Sequence, residues 1–340
     1  MKKIIALLIV VVTFTLVSCS DTKQGENPKR INIGILRVPN DETLAIASGI
    51  FDKYFTEKGI ECNFIVFDSG VQANKALASG SVDFATMGNT NAIIALASNI
   101  DVEMIWIHEV LGEIEALAVK NNSEIKEVKD LEGRRVATPF ASTSHYILLN
   151  VLKEAGIENK VELLNMRTPE IVAAWERGDI DSAYTWQPSL GKLLEDGKML
   201  VSSEDMIKKG YVTANVAVVR TDFSEKYPDL VRDFISVLVE AGNMYRANPE
   251  KSAEIVAKEL EITKEDAILQ MKGSLWLSPE ELLEKEYFGK VEEKGNFAKI
   301  MKDTSDFLKN QNSINESPSQ EAFNIYVNSI YIERALERKN

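Results

Sequence analysis

Two stretches of the chain repeat one another, and no single motif limits the fold as much. The first runs Ala76-Leu77-Ala78-Ser79-Gly80-Ser81-Val82-Asp83-Phe84-Ala85. The second runs Ala174-Trp175-Glu176-Arg177-Gly178-Asp179-Ile180-Asp181-Ser182-Ala183. Gly80 aligns with Gly178 and Asp83 with Asp181, each pair 98 residues apart. Each copy reads as a helix with an apolar face, a glycine exit and a β-branched residue opening a strand. Glycine after a last turn suits the left-handed position that closes many helices. The repeat predicts two lobes built on one plan with a cleft between them, and ligand sites favour such interfaces.

The N-terminus has the layout of an export signal. Lys2 and Lys3 precede an apolar run from Ile4 to Val12, continued by Thr13 to Val17. The run is short for a membrane span, which takes about 20 apolar residues, and matches a secretory leader. It ends in Leu16-Val17-Ser18-Cys19, which resembles the bacterial lipobox, whose cysteine becomes the lipidated first residue. The expected plan is a leader over 1–18, with Cys19 as the lipid attachment, and a polar tether over 19–30. The product would be exported and lipid-anchored to the bacterial cell membrane, facing the periplasm or cell exterior. After Cys19 only Cys62 remains, so no intramolecular disulfide is available. The formal charge is −13, and becomes −15 when Lys2 and Lys3 leave with the leader. That balance argues against a nucleic-acid partner, which needs basic surface. It leaves an anionic ligand open, because local donors set a pocket's potential.

Along the chain, strands at Ile31–Leu36, Cys62–Phe67 and Val82–Met87 alternate with helices, the pattern of a parallel βαβαβ sheet. A second set repeats the order at Arg135–Thr138, Val161–Asn165 and Ile180–Tyr184. Two extended apolar runs, Ile114–Lys120 and Asn215–Arg220, read as crossings between the lobes. From Ser224 onward the periodicity is helical, with Pro228, Pro249 and Pro279 at element starts. The expected division is 31–115 and 219–340 for lobe one and 116–218 for lobe two.

The chemically informative residues lie where strands end and helices begin, the place where open α/β sheets bind ligands. They are Ser69-Gly70 and Gly88-Asn89-Thr90-Asn91 in lobe one, with Ser142-Thr143-Ser144-His145 and Thr185-Trp186-Gln187 in lobe two. Hydroxyls, amides and helix N-termini meeting there form an anion-binding arrangement that needs no Lys or Arg. Ser, Thr and Asn are also natural N-caps; four capping clusters at equivalent points of two lobes favour a shared pocket. Trp186 reads as a pocket wall or a core residue. His145 and Ser144 are adjacent on a helix and do not face one another, so they form no catalytic dyad. No Gly-rich phosphate loop, metal-ligand cluster or nucleophile elbow appears. Catalysis has little support, and no cofactor or metal is expected.

The segments Phe67-Asp68-Ser69-Gly70, Ala76-Leu77-Ala78-Ser79-Gly80, Ser142-Thr143-Ser144-His145-Tyr146 and Ala173-Ala174-Trp175-Glu176-Arg177-Gly178-Asp179-Ile180-Asp181 carry a family likeness. The chain resembles the nitrate/sulfonate/taurine substrate-binding proteins of bacterial ABC importers, the taurine binders most of all, from about Ile31 to Tyr326. The resemblance implies a two-lobed type II periplasmic-binding-protein fold, each lobe a parallel βαβαβ unit, with a helical C-terminal segment. It implies a monomer that closes on a small organosulfonate and delivers it to a permease coupled to an ATPase. The substrate-binding candidates are Ser69, Gly70, Asn89, Thr90, Glu115, Thr143, Ser144, His145, Trp186 and Asn215. One departure stands out. Taurine binders carry an acidic residue at the position of Asn215, where the ligand's ammonium wants a carboxylate; Glu115 matches a family glutamate and is a candidate for that role. Relatives of this fold also include enzymes that handle thiamine pyrimidine precursors, but Cys62 alone does not resemble their cysteine-rich motif.

Overall fold

The computed structural model describes residues 27–337. The leader, Cys19 and the tether up to residue 26 lie outside the described residues. Among those described, the strands in chain order are β1 (Arg30–Leu36), β2 (Glu61–Phe67), β3 (Phe84–Gly88), β4 (Val102–Leu111), β5 (Glu115–Lys120) and β6 (Arg135–Thr138). They continue with β7 (Glu162–Asn165), β8 (Ser182–Trp186), β9 (Gly197–Ser202), β10 (Ala214–Arg220) and β11 (Ser274–Leu275). They form a six-stranded sheet in the order β11-β4-β10-β3-β1-β2 and a five-stranded sheet in the order β7-β6-β8-β5-β9.

The repeat is visible as matching geometry. In each sheet the first strand of the unit lies between the other two, parallel to both: β3-β1-β2 and β8-β6-β7. Gly80 and Gly178 both sit at positive φ, +70° and +76°, where a side chain would be strained. The paired aspartates do one job twice. Asp83 accepts the Asn32 N–H and Asp181 accepts the Arg135 N–H, each at 2.8 Å. Each carboxylate pins the strand after its repeat helix to the start of the central strand, so glycine and aspartate recur because the βαβ crossover needs both.

The two-lobed α/β fold is as expected, but the sheets are mixed rather than purely parallel. β10 runs antiparallel to both β3 and β4, and β5 runs antiparallel to both β8 and β9. The two apolar runs read as crossings are therefore strands inside the sheets. β10 belongs to the six-stranded sheet from end to end, so the return passes between sheets before residue 214 rather than at 218/219. An extended apolar run alone does not reveal this, because antiparallel partners far along the chain decide where it pairs.

The C-terminal helices pack on the six-stranded sheet. Phe234 stacks on Phe84 with centroids 4.3 Å apart, and the buried Tyr326 hydroxyl donates to the Ala92 carbonyl. The helix Phe297–Asn310 also reaches the other lobe. Its Phe307 meets Tyr146 edge-on at 5.5 Å, and its Thr304 hydroxyl lies 3.3 Å from the Tyr146 hydroxyl.

Candidate functional site

Between the two sheets lies a cleft of about 410 Å³, within the range of roughly 300–1,000 Å³ usual for small-molecule sites. Its walls come from the carboxyl ends of strands in both sheets. Lobe one contributes the turns after β1 and β2, including Arg37 and Gly70; lobe two contributes those after β6, β7 and β8, including Thr143, Arg167 and Trp186. Leu36, Val66, Phe67, Phe140, Met166 and Trp186 supply apolar surface.

Three helices begin on this cleft: Gly70–Ala78 from lobe one, and Thr143–Ala155 and Thr168–Arg177 from lobe two. The first-turn N–H groups of a helix have no partners within it, and the macrodipole places positive potential there. Glycine is required for the close fit. A Cβ on Gly70 would lie 2.4 Å from the Asn91 side chain, and one on Gly88 would lie 2.8 Å from the Thr143 methyl. The second contact joins the lobes, as does the hydrogen bond from Asn91 Nδ2 to the Ala141 carbonyl at 2.8 Å. Ala141 holds φ at +59°, a costly conformation for a residue with a Cβ, in the loop that delivers the Thr143 helix to the cleft.

With this geometry in place, kinship can be assigned. Residues 46–252 match the NMT1/THI5-like family. The chain belongs to that family. It is 37% identical over 265 residues to the taurine-binding periplasmic protein of Escherichia coli strain K12, covering 76% of this chain and 80% of that one. The crystal structure of the periplasmic aliphatic sulphonate binding protein from E. coli superposes with a TM-score of 0.70 at 21% identity, covering 87% of this chain and 92% of that one. The desulfurization enzyme DSZB superposes with a TM-score of 0.66 at 17% identity, covering 92% and 100%. At these identities the superpositions establish the fold alone. The expected kinship with taurine- and sulfonate-binding proteins of ABC importers is borne out. The named binding-protein relatives are periplasmic, and no helix among the described residues is long and apolar enough to cross a membrane.

Within this NMT1/THI5-like protein, Ser69, Gly70, Glu115, Thr143, Trp186 and Asn215 line the cleft. Asn89, Thr90, Ser144 and His145 lie behind its wall. The Asn89 amide is used at both ends: Nδ2 donates to the Val212 carbonyl and Oδ1 accepts the Ala214 N–H, each at 3.3 Å. That ties the Asn89–Ala97 helix to the return crossing. Thr90 is fully buried with no partner for its hydroxyl. His145 stacks on Phe140 at 4.3 Å, and burial pushes its pKa down to about 4, so the ring is neutral near pH 7.

The hydroxyls of Thr143 and Ser144 do not point at a ligand. Both donate to Glu115 Oε1, at 2.5 and 2.7 Å. Ser203 and Thr213 donate to Oε2, at 2.8 and 3.3 Å. A carboxylate oxygen has two lone pairs, so Glu115 has no acceptor left for an ammonium. Burial pushes its pKa up, and the four hydroxyls work against that rise. Glu115 opens β5 and Thr213 immediately precedes β10, so this carboxylate binds both crossings and the Thr143 helix into one knot. The expectation that Glu115 reads an amine gives way to a positioning role.

Other residues at the site escaped sequence reading. Arg37 and Arg167, one from each lobe, line the cleft; Arg37 donates to the Glu259 carbonyl at 3.2 Å and Arg167 pairs with Glu170 at 2.8 Å. Behind Asn215 stands a buried polar cluster. Asn215 Nδ2 donates to Glu109 Oε1 at 2.5 Å. Trp106 Nε1 donates to Asp41 Oδ2 at 2.7 Å, His108 Nδ1 meets Asp41 Oδ1 at 2.5 Å, and Thr86 joins His108 to Glu42. Burial opposes the charged form of His108, yet Asp41, Glu42 and Glu109 bring its pKa up to about 9. Burial raises Glu42 to about 7 and Glu109 to about 8. The available signal was the pair His108-Glu109 inside the otherwise apolar run Met104–Leu111.

Proposed function

We propose that this protein is the solute-binding component of an ABC importer, taking an organosulfonate such as taurine into the cleft and passing it to a permease coupled to an ATPase. The observation that carries this reading is the convergence of three helix N-termini from both lobes on one cleft. A sulfonate spreads its charge over three oxygens, and first-turn N–H groups from several directions can satisfy all three without a buried lysine. The apolar wall then takes the carbon chain. Kinship with a taurine-binding protein supports the same ligand class. Ser69, Gly70 and Thr143 are the residues nearest this role, through their backbone and helix ends; Trp186 forms a wall. The leader and Cys19 support export and a lipid anchor, which keeps a binding protein close to its permease.

The half-buried thiol of Cys62 on β2 is pushed up to about 12 by burial and then by Asp52. That is the state of a packed thiol rather than a nucleophile. The test is a thermal-shift and calorimetric screen with taurine, ethanesulfonate, sulfate, nitrate and a thiamine pyrimidine precursor. Sulfonate at about 100 times its dissociation constant should add roughly 2.7 kcal/mol of stability. Stabilisation by the pyrimidine precursor and by no sulfonate refutes the reading.

A further inference from the structure

Asn215 faces the cleft with one end of its amide committed. Its Nδ2 donates to Glu109 Oε1, its residue lines the cleft, and Oδ1 is not among the buried orphan atoms. The amide therefore turns an acceptor toward the ligand space. Donating to a carboxylate polarises the amide and strengthens that acceptor. The competing side-chain acceptors of the cleft are engaged. Glu115 is filled by four hydroxyls, while Asn165 Oδ1, Gln187 Oε1 and Gln72 Oε1 accept the N–H groups of Phe140, Gly191 and Asp68. Asp68 is exposed at the rim, with the Arg167 charge near it.

We propose that Asn215 and Glu109 act as one unit that reads a cationic N–H donor on the ligand, Asn215 Oδ1 accepting the hydrogen bond and Glu109 supplying the charge behind it. This rests on the sulfonate reading and narrows its substrate class to zwitterionic aminosulfonates over alkanesulfonates with uncharged tails. It also explains why the strand residue can be a neutral amide: the carboxylate sits opposite it on the neighbouring strand, since Asn215 pairs with Glu109 in the β10–β4 register.

The cluster around Glu109 gives the unit a measurable signature. The groups facing it are His108 on its own strand, Asp41 and Asn40 from the start of the helix Asp41–Ala47, and Asn215 on β10; Glu42 acts at one remove through His108. His108 and Asp41 answer one another's charge. Glu109 Oε2 has no partner, and the Asn40 amide approaches Glu109 without meeting hydrogen-bond geometry. A proton on Oε2 leaves the Asn215 bond to Oε1 intact. Glu109 thus holds its proton at pH 7 in the empty protein, and a ligand cation arriving at Asn215 favours the carboxylate. Binding should release that proton to the buffer.

The experiment is calorimetric titration of the full exported chain with taurine and with ethanesulfonate, at pH 7, in two non-sulfonate buffers of different ionisation enthalpy. Wild type should bind taurine at least about tenfold more tightly than ethanesulfonate, the difference between a charged and a neutral hydrogen bond. Taurine should release a substantial fraction of one proton, and ethanesulfonate none. Glu109→Gln and Asn215→Ala should each lower taurine affinity about tenfold, leave ethanesulfonate within about twofold, and abolish proton release. Asp68→Asn should leave the taurine-to-ethanesulfonate ratio unchanged. An unchanged ratio in both Glu109→Gln and Asn215→Ala, a ratio that collapses in Asp68→Asn, or equal proton release with both ligands overturns the proposal. The wild-type proton count decides the matter if a variant fails to fold. Ethanesulfonate binding without taurine binding sinks this proposal while leaving the sulfonate reading intact; binding of neither sinks both.

Discussion

Glu115 accepts four hydroxyl hydrogen bonds, two on each carboxylate oxygen, whereas Glu109 accepts one amide and keeps Oε2 without a partner. Both are fully buried glutamates at the cleft, one in each sheet. Their burial is the same and their wiring is opposite. Glu115 has spent its acceptors on the protein and holds two crossings and a helix end in register. Glu109 has an unsatisfied oxygen and contacts the cleft only through Asn215. A buried acid is therefore no guide to function by itself; what matters is whether its lone pairs are already taken.

The largest effect that tests this contrast is Glu115→Ala. Four hydroxyls lose their acceptor together, and each unsatisfied buried polar group costs about 1–3 kcal/mol. Re-pairing among the hydroxyls and entering water recover part of that, so a loss of about 3 kcal/mol or more is expected in urea unfolding. A loss below about 1 kcal/mol would show that the knot carries little.

Next comes the pH dependence of stability. Glu42, Glu109 and Glu115 all have pKa values raised by burial above the ordinary 4.5, to about 7 and about 8 for the first two. The folded state then holds protons that the unfolded state has lost. Their contribution is fully present below pH 4.5 and disappears as pH rises through 7 and 8. Each such proton tilts stability by up to ~1.4 kcal/mol per pH unit. Unfolding midpoints should fall between pH 5 and pH 8, and Glu109→Gln should flatten the upper part of that decline. A profile rising across this window refutes the assignment.

Asn215→Asp is a smaller and sharper test. The new carboxylate would face Glu109 across a 2.5 Å contact, and two buried acids that close share one proton. A loss of about 1–2 kcal/mol is expected at pH 8, shrinking toward pH 6 where the shared proton is held. Taurine should then gain less from the substitution than a lone carboxylate would provide. The smallest effect belongs to His145→Gln. The ring packs on Phe140 behind the wall and its pKa is lowered, so its contribution is present above 6.5 and lost as pH falls toward 4. Ligand affinity at pH 7 should stay within about twofold; a larger change would return His145 to the ligand.

Much of the architecture was legible because it is encoded locally. Gly80 and Gly178 mark helix exits through a backbone angle, and Asp83 and Asp181 each hold the strand beside their own crossover. Ser69-Gly70 and Ser142-Thr143 announce helix starts through short-range capping, which a linear reading can detect. Six of the ten candidates do line the cleft. The four that do not, Asn89, Thr90, Ser144 and His145, sit within two residues of ones that do. A helix start identifies the neighbourhood but not the side of the turn that faces the ligand.

The sequence by itself determined the two-lobe plan, the strand-and-helix order, the export leader and the strand ends where a ligand sits, since these follow from periodicity and residues a few positions apart. Only the tertiary structure decided that Ile114–Lys120 and Asn215–Arg220 become antiparallel strands, and which carboxylate is filled. The Asn215–Glu109 bond spans 106 residues and the Thr213–Glu115 bond 98. Contacts of that range depend on how whole sheets pack, and a polar side chain's role is set by the partners that packing brings to it.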